Sequence, residues 1–192
     1  MVVRLLLLVA AAFLLGGCTG SADDQPTTST STSTATETTA NPLEGASTDT
    51  VVVPATITET ALLTDVRSVR QEGYDRVVFE FANGVPGYEV GYVERPIIAD
   101  GSGNEVEVEG AAVLRVRMEP ALDADLTQES APRTYTGPNR FSPDTATVVE
   151  LVRTGGFEAV LTWAAGIDAE RPYRVTALTD PPRIVIDVDT SP

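Results

Sequence analysis

Arg76, Val77, Val78, Phe79, Glu80 and Phe81 place Val77, Phe79 and Phe81 on one face of an extended chain. The apolar period is two, so the segment reads as a half-buried strand; a helix would need apolar residues three and four apart. The same texture runs onward through Tyr88, Val90 and Tyr92, then Val106 and Val108 between Glu105, Glu107 and Glu109, then Leu114, Val116 and Met118 around Arg115 and Arg117. A three-residue loop at Gly110, Ala111 and Ala112 would set Glu107 opposite Arg115 and Glu105 opposite Arg117, a charge ladder on the solvent face of a hairpin. Residues 148–153 and 157–163 flank Thr154, Gly155 and Gly156, a hairpin signal because glycine tolerates the positive φ of tight turns. The second arm turns Phe157, Ala159, Leu161 and Trp163 to one side. Residues 173–178 and 184–188 are strands joined through Thr179, Asp180, Pro181, Pro182 and Arg183, whose adjacent prolines do not belong in an interior ladder.

About eight strands over about 130 residues predict an all-β fold, a two-sheet antiparallel β-sandwich spanning residues 62–192. An internal echo runs through it: Val77, Phe79, Phe81 and Gly84, then Tyr88 and Val90, against Ala159, Leu161, Trp163 and Gly166, then Tyr173 and Val175. A period-two pattern also produces such matches by chance, so duplication of two halves stays open.

Upstream of residue 62 the alternation stops. From residue 18 to 61 the composition is that of a disordered tether: 11 of the 13 residues from Thr27 to Thr39 are Ser or Thr. Such a stretch cannot bury a core, and about 43 flexible residues span roughly 35–40 Å. Val51, Val52 and Val53 are its one apolar patch, either a stray cluster or an edge strand added to the sandwich. Residues 1–17 have the form of a signal peptide, with Arg4 before an apolar run of 11 residues, Leu5 to Leu15, too short for a bilayer-spanning helix. Leu15, Gly16, Gly17 and Cys18 resemble a bacterial lipobox. That resemblance implies a thioether-linked diacylglycerol on Cys18 as the new first residue, and a protein anchored to the extracytoplasmic face of the cell membrane by acyl chains, without a spanning helix.

Composition narrows the chemistry. The chain has 192 residues, 28 Asp and Glu, 13 Lys and Arg, no His and a net charge of −15. All 13 basic residues are Arg, which leaves no Schiff-base lysine, no P-loop lysine and no histidine-based mechanism. A chain this acidic repels nucleic acid and anionic headgroups, so a nucleic-acid partner is not expected. No motif calls for a cofactor. Asp100, Gly101, Ser102, Gly103, Asn104 and Glu105 faintly resemble a calcium loop but lack the Gly at its sixth position and the downstream Glu, so they read as a hairpin turn, and no metal site is expected. Carboxylates abound, yet no local motif marks a pair for glycoside hydrolysis, and the chain is not expected to be an enzyme.

Two stretches carry a family likeness. Gly73, Tyr74, Asp75, Arg76, Val77, Val78, Phe79, Glu80 and Phe81, together with Leu178 through Val188 (Thr179, Asp180, Pro181, Pro182, Arg183, then an apolar strand holding Asp187), resemble AMIN and AMIN-like domains. The opening stretch is similar to that of the AMIN-like lipoproteins of actinobacteria, and an arginine-only basic content is what a GC-rich genome writes. The resemblance implies a noncatalytic β-sandwich that places envelope proteins at peptidoglycan or in envelope assemblies. This chain carries no amidase or secretin domain beside it, so peptidoglycan itself and an envelope protein are the two partners to weigh.

Candidate ligand-binding residues follow from residue type. The aperiodic stretch 121–147 brings together Arg133, Tyr135, Arg140 and Phe141, side chains that stack on sugars and hold carboxylates; Tyr135 and Phe141 would equally serve as plugs for the open end of the sandwich. Arg76 and Arg183 begin strands in the two family-like stretches, each at a rim where it would meet a ligand carboxylate or be clamped by Asp75, Asp180 or Asp187.

Overall fold

The computed structural model describes residues 43–192; the stretch read as a signal peptide, Cys18 and the Ser/Thr run lie outside the described residues. Eleven strands follow in order: β1 (Val51–Val53), β2 (Ala61–Arg70), β3 (Tyr74–Ala82), β4 (Gly87–Val93), β5 (Ala112–Glu119), β6 (Ala121–Leu122), β7 (Arg140–Phe141), β8 (Val148–Phe157), β9 (Val160–Ile167), β10 (Tyr173–Thr179) and β11 (Pro182–Asp189). They form two sheets, ordered β1-β4-β5-β9-β8-β7 and β10-β11-β3-β2-β6. Every pairing is antiparallel except β2 with β6. The all-β sandwich is therefore as the alternation requires.

The echo in the sequence marks equivalent strands. The central order β10-β11-β3-β2 of one sheet becomes β4-β5-β9-β8 of the other when the first and second halves of the chain exchange. In the echo, Phe79 and Phe81 on β3 match Leu161 and Trp163 on β9, and Tyr88 on β4 matches Tyr173 on β10.

The inward faces meet in one core. Trp163 is fully buried at its centre, with Phe79 edge-on at 6.0 Å and Tyr135 edge-on at 5.7 Å. Such pairs are worth about 0.5–1.5 kcal/mol beyond the area they bury. Leu63, Val77, Leu114, Val116, Leu161, Ile184 and Ile186 fill the space around them. Both sheets and their core lie within residues 43–192, which makes this segment a complete folding unit.

Four local expectations change. Residues 105–109 do not pair with β5, because β4 and β9 occupy both of its edges. They belong instead to a flap, residues 94–110, laid across the outer face of the six-stranded sheet, where Ile97 and Val108 pack with Val113, Val152 and Ala164 as a second small core. The charges therefore pair elsewhere: Arg115 with Glu89 at 2.6 Å and Arg117 with Glu119 at 2.7 Å. The β8–β9 turn sits at Glu158 and Ala159, both with positive φ, so Phe157 is the last residue of β8 and 57% exposed. Gly155 and Gly156 lie before the turn, beside a register shift, and Gly155 gives room to the Asp100 carboxylate, 2.5 Å from where a Cβ would stand. Thr179 pairs with Pro182, so the last hairpin closes in two residues and Pro182 already belongs to β11.

Lastly, the folded unit begins before residue 62. Val51–Val53 are an edge strand on β4, and Tyr173 fastens the approach: its N donates to Ser47 O, and its hydroxyl lies 2.6 Å from Asp49 O and 2.8 Å from Val90 O. Burial pushes that phenol up to about 12, so it remains a donor at any physiological pH.

Candidate functional site

The two sheets differ in what covers them. The flap hides much of the outer face of the six-stranded sheet, whereas the outer face of β10-β11-β3-β2 carries no covering segment among the described residues. The pairing register lays out that open face in three rows. Asp65, Glu80, Arg183 and Leu178 form one; Arg67, Val78, Val185 and Thr176 the next; Val69, Arg76, Asp187 and Arg174 the third. In a chain of net charge −15, this face gathers four arginines against three carboxylates. Val78 and Val185 at its middle are only 6% and 5% exposed, because long side chains on the flanking rows shield them with their aliphatic stems.

Arg76 is held rather than free. Its Nε and Nη2 donate to the two oxygens of Asp187 at 2.7 and 2.9 Å, and its guanidinium lies 5.1 Å from the centre of the Tyr74 ring. The Asp187 hydrogen bond raises the arginine pKa further, and the bidentate geometry makes this a fixed clamp between β3 and β11. Arg67 is likewise engaged, donating to Asp65 at 2.6 Å and Glu80 at 3.1 Å. Arg183 differs. It stands between Glu80 on β3 and Leu178 on β10, its Nε is buried without a hydrogen-bond partner, and no ion pair reaches it among the described residues. The clamp by Asp75, Asp180 or Asp187 does not form: Asp75 faces inward to Thr147, and Asp187 stands two rows away, opposite Arg76.

Each of the other four candidates is engaged by the fold, although Arg133 and Arg140 keep about half of their side chains exposed. Arg133 donates from Nη2 to Asp123 at 2.8 Å, and Arg153 of β8 reaches the same oxygen at 3.2 Å, so one mostly buried carboxylate ties the loop to the sheet. Arg140 pairs with the buried Glu150 at 2.5 Å and donates to Glu107 O at 2.7 Å, fastening the flap. Phe141 is half-buried against the main core. Tyr135 is 2% exposed, packed on Trp163 with its hydroxyl donating to Pro138 O, and so its ring is a core side chain that no sugar can reach.

Among the described residues no group of three or more acids is placed to hold a metal ion. The buried acids Asp75, Asp123, Glu150 and Asp187 each accept from Arg, Thr or backbone N–H. Glu150 was not singled out from the sequence, and Asp75 was named only as a clamp for a strand-start arginine. Nothing local distinguishes them: Thr147 is 72 residues from Asp75, and Glu150 draws on Glu109, 41 residues away, as well as on Arg140.

The AMIN-like domain family matches residues 61–190, nearly the whole of the sandwich. The chain belongs to the AMIN-like domain family. Its match begins at the first residue of β2, so the β1 strap lies outside the AMIN-like segment although it packs onto it. No curated protein and no solved structure matches the chain.

Proposed function

We propose that this chain is a noncatalytic envelope lipoprotein of the actinobacterial kind, anchored by acylated Cys18, whose AMIN-like domain localises it to peptidoglycan through the outer face of the five-stranded sheet. The family match over residues 61–190 carries this reading, because AMIN-like domains are peptidoglycan-associated or envelope modules. Arg183 supplies the chemistry. A guanidinium with no carboxylate of its own, on an uncovered face, offers a fork for the carboxylates of wall peptides. The noncatalytic part rests on the buried acids, each engaged in holding the fold.

Pelleting with insoluble peptidoglycan tests the wall reading. Residues 43–192 are expected to sediment saturably, less at high salt. Arg183→Ala should weaken the affinity about tenfold, the size of a lost charge-assisted hydrogen bond. Arg133→Ala should leave it unchanged, since Arg133 is spent on Asp123. No pelleting at either salt would move the reading to a protein-interaction module in envelope assembly.

The address has its own test. Expressed from Met1, the chain should fractionate with membranes and carry a diacylated Cys18, whereas Cys18→Ala should be released from them. A Cys18→Ala chain held as firmly as the parent would show that the anchor is elsewhere.

A further inference from the structure

The two sheets have four edges, and three of them are blunted. β1 is three residues long and runs into Pro54, β6 is two residues long and follows Pro120, and β7 is two residues long between Pro138 and Pro143. Short strands and prolines deny an incoming chain a ladder to extend. β10 is different: seven residues, Tyr173–Thr179, with β11 as its one sheet neighbour among the described residues.

The backbone groups it leaves open follow from the single pairing already on that edge. Tyr173 N donates to Ser47 O at 2.9 Å and Ser47 N donates to Tyr173 O at 3.2 Å, so both groups of Tyr173 point away from β11. By the period of a strand, those of Val175, Ala177 and Thr179 point the same way, and no backbone bond meets them there among the described residues. Among the described residues, the segment leading into Ser47 does not continue along this edge. Residues 43–46 form a turn, in which Ala46 N donates to Leu43 O and Gly45 takes a φ of 76°.

We propose that the β10 edge pairs with the β10 edge of a second copy of this chain, joining two five-stranded sheets about a two-fold axis. Two constraints fix the register. Hydrogen-bonded pairs must join odd-numbered residues, whose groups point outward, and Tyr173 is already taken by Ser47. The longest two-fold register that spares Tyr173 is centred on Ala177, with Val175 opposite Thr179 of the second copy. Between these lie the non-hydrogen-bonded pairs: Thr176 faces Leu178, and Arg174 faces Asp180 of the second copy, once on each side of the axis. Opposite charges therefore meet at both ends and no like charges do. The lengths agree as well, since each β10 turns back at Asp180 and Pro181 before it would collide with Ser47 of the other copy. An edge ladder this short buries less than the ~1,200 Å² of a standard interface, so the dimer is weak and concentration-dependent.

Sedimentation velocity of residues 43–192, from micromolar to millimolar protein, is expected to show monomer passing to dimer mass. Ala177→Pro removes one outward N–H and no internal ladder bond, so it should keep the native circular dichroism and lose the dimer. The segment has no cysteine of its own. Thr176→Cys with Leu178→Cys in one chain should oxidise to a covalent dimer, because non-hydrogen-bonded partners lie about 4.5 Å apart at Cα, within disulfide reach. Thr176→Cys alone faces Leu178 and should stay monomeric under the same oxidation. A monomer at every concentration, a dimer that survives in folded Ala177→Pro, or equal cross-linking by the single cysteine would each overturn the proposal. Should Ala177→Pro unfold, the cysteine pair decides alone.

Discussion

Asp75→Ala should lower the stability of residues 43–192 by about 3–5 kcal/mol, the cost of removing one partner from a buried, charged hydrogen-bond cluster. Asp75 is fully buried on β3, on the inward side of the five-stranded sheet. One of its oxygens accepts from Thr147 N at 2.5 Å, Thr147 Oγ1 at 2.7 Å and Val148 N at 3.3 Å, where the chain enters β8 of the opposite sheet. The carboxylate is thus a clasp between the sheets. Alanine would leave two backbone N–H groups and a hydroxyl facing an apolar gap that water cannot easily fill. In a domain of this size, the loss corresponds to a fall in Tm of about 10 °C or more. Asp75→Asn keeps an acceptor oxygen without its charge and should recover part of that loss. Thermal unfolding followed by circular dichroism measures both, and an Asp75→Ala chain melting within a degree or two of the parent would show that the clasp carries little.

The clasp explains what the first family-like stretch is for. Successive residues there point to opposite faces: Asp75 inward to Thr147, Arg76 outward to Asp187. Asp187 belongs to the second family-like stretch, and β11 lies beside β3, so the two motifs that look independent along the chain are one physical unit in the fold. The sequence alone reached half of this. Asp187 was among three carboxylates weighed for Arg76, since a strand-start arginine needs a partner, but cross-strand register cannot be counted across 111 residues of unknown path. For Arg183 the same reasoning offers a clamp that does not form, because Asp187 stands four residues farther along the same strand, about 13 Å away, where it meets Arg76 instead.

Alternation was legible where it reports burial on one face, as in β3 and β4, and misleading where several surfaces satisfy it. Val106 and Val108 alternate with glutamates, which suits a hairpin arm and suits equally a flap lying on a sheet. Tyr135 sits in an aperiodic stretch, so its inward plug was one of two readings open to it, and the neighbour that decides between them, Trp163, is reached only through the fold. Gly155 and Gly156 signalled a turn, yet glycine also serves where another chain presses close, and here the second use applies.

Gly166→Ala is expected to unseat the flap while leaving the sandwich standing. A Cβ on Gly166 would stand 1.8 Å from Glu109 O and 2.9 Å from its carbonyl carbon, inside any allowed contact, and both atoms are backbone. β9 cannot retreat, because its other face holds Trp163 and Leu161 in the core and its edges are bonded to β5 and β8. The flap must therefore move. Its lifting would withdraw Ile97 and Val108 from Val113, Val152 and Ala164, at about 1.5–3 kcal/mol for each side chain re-exposed. It would also part Glu109 N from Glu150 and Glu107 O from Arg140, leaving buried Glu150 short of a donor. Hydrogen exchange should then show protection lost across residues 95–110 and kept in β3 and β11, and a glutamate-specific protease should cut faster than in the parent after Glu105 or Glu107. Unchanged exchange in the flap would mean that the chain relieves the overlap at β9 instead, and that the second core is held more firmly than its few side chains imply.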